Sequence, residues 1–265
     1  MPPPGLRALV RTFPSALLGY SGGVDSAFLA VVLRQELGRD RMLAAIGRSA
    51  SYPEVQWQAA REVAERFDIP VVEVDTHELE DPSYLANPTN RCFFCKTELW
   101  GRLVPLARAR GFAVVCDGTN ADDLREHRPG RAAGQQAGIR SPLAEAGLTK
   151  AAIRDASRAL GLPTWDAPAA PCLSSRVQYG LQITPARLRQ VEQAESYLRG
   201  LGIQGDLRVR HRGDLADIEV EPRWIPWVQE RRETITAHLA TLGFARIEVD
   251  PRGYRRGSLL EPSSP

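Results

Sequence analysis

One six-residue string, Ser21-Gly22-Gly23-Val24-Asp25-Ser26, constrains this chain more than any other feature, because of what flanks it. The apolar run Ala16-Leu17-Leu18-Gly19-Tyr20 before it reads as a strand, and residues 25–37 after it read as a helix. Adjacent glycines let a backbone turn tightly and come close to an anion, and a helix starting there offers N–H groups with no intrahelical partner. Ser21 and Ser26 add hydroxyls, and Asp25 is suited to capping the helix or holding Mg²⁺ beside a phosphate. An ordinary Gly-Gly turn with Asp25 or Ser26 as N-cap is the plainer description. The position directly after the first strand favours the phosphate loop. It lacks the lysine of the kinase and GTPase P-loop and the glycine spacing of dinucleotide folds, which argues against γ-phosphoryl transfer.

The same alternation continues downstream. Strands are predicted at 42–47, 71–74 and 113–116, and helices at 53–67, 95–110 and 149–160. In the helix over 53–67, Val55, Ala59, Val63 and Phe67 recur every four residues as one buried stripe. Thr149 is a good N-cap, and Gly161 and Pro163 stop the helix that follows it. Strand–helix alternation predicts an α/β fold, a parallel sheet covered on both faces, with ligands at the carboxyl ends of its strands. Asp117-Gly118-Thr119-Asn120-Ala121-Asp122-Asp123 falls at that edge, after the fourth strand. Gly118, Thr119 and Asn120 join the nucleotide-binding candidates there. Asp122 and Asp123 are candidate Mg²⁺ ligands, or else parts of a solvated Asx turn.

The pattern lapses in a stretch rich in proline, alanine and serine that contains Cys172, and the domain boundary is placed there. The reading is a nucleotide domain over 1–165, an inter-domain loop over 166–182, and a smaller α+β domain over 183–258. In the last, helices are expected at 185–201 and 225–242 and strands at 207–210, 216–220 and 246–249. Residues 259–265 have no core-forming pattern and are expected to be disordered.

Composition excludes several classes. No run approaches the roughly 20 apolar residues of a membrane helix, and Met1-Pro2-Pro3-Pro4-Gly5 is not the start of a signal peptide. A cytoplasmic protein with no membrane partner is expected. A net charge of +2 is too small to argue for nucleic acid. Of 34 basic residues only Lys96 and Lys150 are lysine; they mark sites that need a compact ammonium, or they are chance survivors of an arginine bias. Lys150 and Arg154 lie on one helix face, suited to phosphate or to solvent. Four cysteines in a reducing compartment point to metal or redox chemistry rather than disulfides.

The glycine loop resembles the PP-loop of enzymes that split ATP into AMP and pyrophosphate, among them GMP synthetase, asparagine synthetase and the tRNA thiolases. Three further strings narrow the resemblance: Asn90-Arg91-Cys92-Phe93-Phe94-Cys95-Lys96, Arg140-Ser141-Pro142-Leu143 through Leu148-Thr149-Lys150, and Pro171-Cys172-Leu173-Ser174-Ser175-Arg176. With the glycine loop and the Asp117–Asp123 string, in this order, they are similar to LarE, the sulfur transferases of nickel-pincer nucleotide synthesis. The resemblance runs from the first strand to Gly253-Tyr254-Arg255-Arg256-Gly257-Ser258, nearly the whole chain.

It implies an ATP-dependent enzyme that adenylylates a carboxylate of pyridinium-3,5-biscarboxylic acid mononucleotide and installs sulfur as a thiocarboxylate. The family has two variants. In one, the loop cysteine gives up its own sulfur; in the other, three cysteines hold a 4Fe–4S cluster that carries it. Cys92 and Cys95 beside Cys172 resemble the second, with sulfide as a further partner. The residues agree, since no second close Cys or His pair exists for a structural zinc site, and three thiolates leave one iron position open. A thioredoxin-like redox pair is the alternative for Cys92 and Cys95. Cys116, in an apolar run, is expected to be core.

The resemblance makes Cys172, Asp25 and Arg176 catalytic, and Gly19, Ser21, Gly22, Gly23, Asp25 and Ser26 the ATP loop. Arg208 and Arg210 would bind the anionic substrate, with Glu219 a further Mg²⁺ candidate; a solvated strand face is the competing description. It also implies a homo-oligomer, a hexamer. A tRNA thiolase, an amide-forming ligase and a non-catalytic nucleotide or iron–sulfur module are the rival readings. The first two lack their usual zinc-ribbon, RNA-binding or ammonia-delivering modules here.

Overall fold

The computed structural model describes residues 2–125, 129–168, 171–255 and 257–260. His127 and most of the 259–265 tail fall outside them. In chain order the elements are α1 (Pro4–Arg11), β1 (Ala16–Gly19), α2 (Val24–Leu37), β2 (Met42–Arg48), α3 (Glu54–Arg66), β3 (Val71–Asp75), α4 (Pro82–Leu85), α5 (Arg91–Ala109), β4 (Val114–Cys116), α6 (Pro129–Gln136), α7 (Pro142–Glu145) and α8 (Lys150–Ala159). After them come α9 (Pro185–Gly200), β5 (Leu207–Arg212), β6 (Leu215–Val220), α10 (Ile225–Glu230), α11 (Arg232–Thr241) and β7 (Arg246–Val249).

The chain forms two compact units, one of Met1–Glu78 with Asn90–Ala170, the other of Leu79–Thr89 with Pro171–Pro265. The first is the expected α/β architecture. Its sheet is parallel, in the order β3-β2-β1-β4. Ala16, Leu17 and Leu18 and the run from Met42 to Ile46 are apolar at every position and buried on both faces, as a parallel sheet covered twice requires. On one face Leu18, Ala44 and Ile46 pack with α2, α3 and Ile153 of α8. On the other, Leu17, Leu43 and Ala45 meet Trp100, Leu103 and Ala107 of α5. Strand order reverses between β1 and β4, so both loops leaving those strands open onto one crevice, the usual place for a ligand.

The second unit carries a three-stranded sheet in the order β5-β6-β7, with β5 and β6 antiparallel and β6 and β7 parallel. Leu207, Val209, Ala216, Ile218 and Val220 face a core completed by Leu198, Val228, Ile235, Leu239 and Phe244. Strand alternation turns Arg208, Arg210, Arg212, Asp217 and Glu219 to the opposite face.

Three local expectations are corrected. Val55 is 74% exposed; the buried stripe of α3 is Ala60, Val63 and Ala64, with Trp57 and Phe67 at its margin. The helix expected over 225–242 is two helices, α10 and α11, broken at Arg231, whose ψ of 16° leaves the helical region. The helix expected to start at Cys95 starts at Arg91, which puts both cysteines of the close pair inside the helix, at its second and fifth residues.

Candidate functional site

β1 runs straight into the glycine loop. Gly22 has φ of +70°, and a Cβ there would sit 2.5 Å from the Ala60 Cβ, so the turn requires glycine. Gly19 ends β1 against the Trp100 ring. Gly23 is the N-cap of α2 and offers no side-chain cap, which leaves the first-turn N–H groups to an anion. The Ser26 hydroxyl closes the loop internally: it accepts from the Ser21 N–H at 3.3 Å, donates to the Gly23 carbonyl at 3.1 Å and lies 3.1 Å from Ser21 Oγ. From α3 and the loop before it, the Tyr52 hydroxyl and Gln56 Nε2 donate to the Ser21 carbonyl at 3.0 and 2.7 Å. Burial raises the pKa of Tyr20 and Tyr52 well above the usual phenol range, so both hydroxyls remain donors.

The loop after β4 closes on this one. A Cβ on Gly118 would lie 2.9 Å from the Ser26 backbone nitrogen. Asp117 accepts from the Thr119 N–H and hydroxyl at 3.0 and 2.8 Å, and Asn120 Oδ1 accepts from the N–H groups of Asp122 and Asp123 at 2.9 and 3.2 Å. Asp123 accepts from the Asn120 N–H at 3.1 Å, and Asp122 from the Lys150 N–H at 2.7 Å. These are Asx-type contacts, and they hold Lys150 at the start of α8, whose N-cap is Thr149 as expected. Lys150 Nζ then reaches Asp25 Oδ2 at 2.7 Å. The other Asp25 oxygen, Oδ1, is buried without a hydrogen-bond partner among the described residues. An ammonium and an orphaned carboxylate oxygen therefore stand at the N-terminus of α2, a donor set that fits polyphosphate with Mg²⁺. Arg154 instead donates to the Ala167 carbonyl at 2.9 Å.

Cys92 is exposed and Cys95 half-buried, three residues apart and so on one face of α5. Cys116 is fully buried in β4, and burial pushes its thiol far above the usual range, which removes it as a thiolate ligand. Lys96 lies 5.3 Å from the centre of the Trp100 ring.

In the second unit, Cys172 opens a 3₁₀ turn, Leu173–Arg176, that Arg176 holds from within. Arg176 is buried, donates to Glu195 of α9 at 2.9 and 3.0 Å, and also reaches the carbonyls of Pro171 and Cys172. Its guanidinium thus positions the Cys172 loop. Arg210 Nη1 donates to the Ser175 carbonyl at 2.9 Å, Nε to Glu219 at 2.9 Å, and Nη2 to Ser258 at 3.0 Å. Arg208 is buried beside Tyr254, its pKa lowered by burial and by the nearby Arg176 cation. Three guanidiniums against Glu195 and Glu219 leave a surplus of positive charge, the electrostatics of an anion site.

Glu219 is completely buried and its Oε1 has no hydrogen-bond partner among the described residues. Ligand oxygens of Asp217, Glu219 and Asp250 lie within 4.8 Å of one another, a grouping able to hold a metal ion. Arg212, Arg210 and Arg255 pair with the three in turn, at 3.0, 2.8 and 3.2 Å. Glu195, Asp217 and Asp250 were not among the residues expected. Glu195 sits inside an unremarkable helical pattern, and Asp250 joins the group only through the pairing of β7 with β6.

Residues 6–87 match the NAD synthase family. An uncharacterized protein of Synechocystis is 43% identical over 96% of this chain and 95% of its own. The pyridinium-3,5-bisthiocarboxylic acid mononucleotide synthase of Lactiplantibacillus plantarum is 31% identical over 96% of this chain and 92% of its own. The chain belongs to that family, LarE. An uncharacterized Methanocaldococcus jannaschii protein is 28% identical over 90% of both chains. Membership in LarE bears out the resemblance read from the motifs and makes the protein an ATP-dependent enzyme of PP-loop type. Among the described residues, no helix is long and apolar enough to cross a membrane.

Proposed function

We propose that this protein is an AMP-forming sulfurtransferase. It would adenylylate a carboxylate of pyridinium-3,5-biscarboxylic acid mononucleotide and convert it to a thiocarboxylate, in nickel-pincer nucleotide synthesis. The observation that carries the reading is the lysine-free phosphate loop, closed over by Gly118 and flanked by the Lys150–Asp25 pair. The loop lacks the P-loop lysine that serves γ-phosphoryl transfer, and a glycine turn at a helix N-terminus is suited to cradling a leaving pyrophosphate. The first-turn N–H groups of α2 and Lys150 would hold the β- and γ-phosphates, while Asp25 Oδ1 would hold Mg²⁺; Asp122, Asp123 and Glu219 are the further candidates for metal.

The substrate carboxylate attacks the α-phosphorus and pyrophosphate leaves. Sulfide sulfur then attacks the acyl carbon and AMP departs, a far better leaving group than an oxide. Arg208 and Arg210 would orient the anionic substrate.

The cysteines fit a 4Fe–4S group by their chemistry: Cys92, Cys95 and Cys172 are partly or fully exposed thiols, whereas Cys116 is sealed in the sheet. When bound by three thiolates, such a cluster supplies one iron position open to a transferable sulfide. Assembly as a homo-hexamer belongs to the same proposal.

The test is product analysis. ATP, Mg²⁺ and the pyridinium mononucleotide should yield AMP and pyrophosphate, and labelled pyrophosphate should exchange into ATP only when the substrate is present. ADP as the main product, or exchange independent of the substrate, would sink the assignment.

A further inference from the structure

The stretch Leu79–Thr89 runs directly into the Cys92/Cys95 pair along the chain, yet it belongs to the second unit. There its hydrogen bonds converge on the loop that carries Cys172. The Tyr84 hydroxyl, on a side chain only 1% exposed, lies 2.6 Å from Ser174 Oγ. The Leu85 carbonyl accepts from the Ile183 N–H at 2.9 Å, and the Asn87 carbonyl from the Gly180 N–H at 3.0 Å.

Asn87 does the most. It is fully buried, and its Nδ2 reaches the carbonyls of Val177, Gln178 and Leu181 at 3.3, 2.8 and 2.9 Å. A side-chain amide carries two hydrogens on that nitrogen, so three acceptors around it saturate the donor. The backbone of Asn87 has φ of +54°, a left-handed conformation that asparagine tolerates better than most residues. Glycine would keep that conformation without the donor, and a longer side chain would supply a donor only with backbone strain. The position is built for asparagine.

We propose that Asn87 and Tyr84 are positioning residues for Cys172. They fix the path of residues 174–183 from one side, while Arg176 with Glu195, and Arg210 through the Ser175 carbonyl, fix it from the other. The inference rests on the reading above, in which Cys172 is one of three thiolates that must be presented together. A ligand held by its surroundings binds without first being ordered, and loss of such supporting contacts costs about 10- to 100-fold in metal affinity.

The test uses the full chain with Asn87→Gly, Tyr84→Phe and Ser174→Ala. In iron-free protein, alkylation of each cysteine by iodoacetamide is followed by peptide mass spectrometry, with buried Cys116 reporting opening of the first unit and hydrogen exchange of the β5–β6 amides reporting that of the second. Asn87→Gly should speed alkylation of Cys172 by about 10-fold or more and leave Cys116 unmoved, with a smaller rise in Tyr84→Phe and Ser174→Ala. After anaerobic reconstitution, resistance of bound iron to a chelator should fall about 10- to 100-fold in Asn87→Gly. Cys172 rates unchanged in all three variants would overturn the inference, as would the β5–β6 amides opening in step with Cys172 in Tyr84→Phe. If Asn87→Gly opens Cys116 or those amides as well, the two milder variants decide. Wild-type protein that takes up no iron would refute the cluster reading, and the alkylation series would still settle the positioning role.

Discussion

Replacing Gly118 by alanine adds one methyl group where the loop after β4 meets the start of α2. Its Cβ would lie 2.9 Å from the Ser26 nitrogen, 3.1 Å from the Ser26 Cα and 3.3 Å from the Asp25 carbonyl carbon, all main-chain atoms. No side chain can swing away. Ordinary contact begins at 3.4 Å, so the loop and the helix end must separate by about 0.5 Å. The N–H groups assigned to the polyphosphate move with that separation. Overpacking of this kind costs about 1–3 kcal/mol of stability. A displacement of 1 Å can cost about 100-fold in rate, so half of it corresponds to about 10-fold. We expect kcat/KM for adenylylation to fall about 10-fold, measured by pyrophosphate exchange, with a modest drop in Tm. Gly200→Ala, where a Cβ meets open space at the end of α9, is the control: it should leave kcat/KM unchanged and should not lower Tm, since alanine suits a helix better than glycine. Wild-type exchange kinetics in Gly118→Ala would refute the argument, because they would show that this contact does not set the geometry of the phosphate loop.

Alanine at Cys92, Cys95 or Cys172 should each abolish iron binding on anaerobic reconstitution, whereas Cys116→Ala should stay brown; intact mass after several turnovers should be unchanged, and loss of H₂S at Cys172 would show that cysteine to be the sulfur source. His211 is buried, its Nδ1 has no hydrogen-bond partner among the described residues, and burial lowers its pKa from 6.5 to about 4. The unfolded chain therefore binds the extra proton first as pH falls. Stability contributed by neutral His211 is present above pH 6.5 and is lost progressively down to about pH 4, a loss of about 3 kcal/mol in denaturant titrations. His211→Phe should flatten that slope. Arg210→Met leaves Glu219 buried without its partner and should cost about 3–5 kcal/mol, with Arg210→Met/Glu219→Leu recovering much of it.

What the sequence disclosed and what it hid divide along physical lines. The phosphate loop, the parallel strands and the Thr149 cap were legible because local rules decide them: two glycines between a strand and a helix, apolar runs, a hydroxyl at an N-terminus. Lys150 stood out as one of two lysines, but its reach to Asp25 is a tertiary contact. α6 was missed because Pro129-Gly130-Arg131 reads as a turn. In the fold, a Cβ on Gly130 would lie only 3.1 Å from the Cys92 carbonyl, so its glycine permits α6 to lie close against α5. The break at Arg231 has no glycine or proline to announce it. In α3, a spacing of four starting from Val55 found Val63 and Phe67 but took in Val55, which faces solvent, and passed over Ala60 and Ala64. The arginines of β5 and Glu219 were visible, but Glu195, the partner of Arg176, is chosen by packing.

The path of the chain between its two units has a consequence for anyone who would take the protein apart. It passes from one to the other three times, after residues 78, 89 and 170, because Leu79–Thr89 interrupts the first unit. No single cut in the gene therefore releases either half whole. A fragment ending at residue 170 would carry away Tyr84 and Asn87, leaving the other piece with a Ser174 hydroxyl and three loop carbonyls that have lost these partners. A protease that nicks the connection near residue 170 should yield two pieces that co-elute until denatured. In that respect the molecule resembles a garment with one panel sewn through another, and its separable modules are fewer than its folded units.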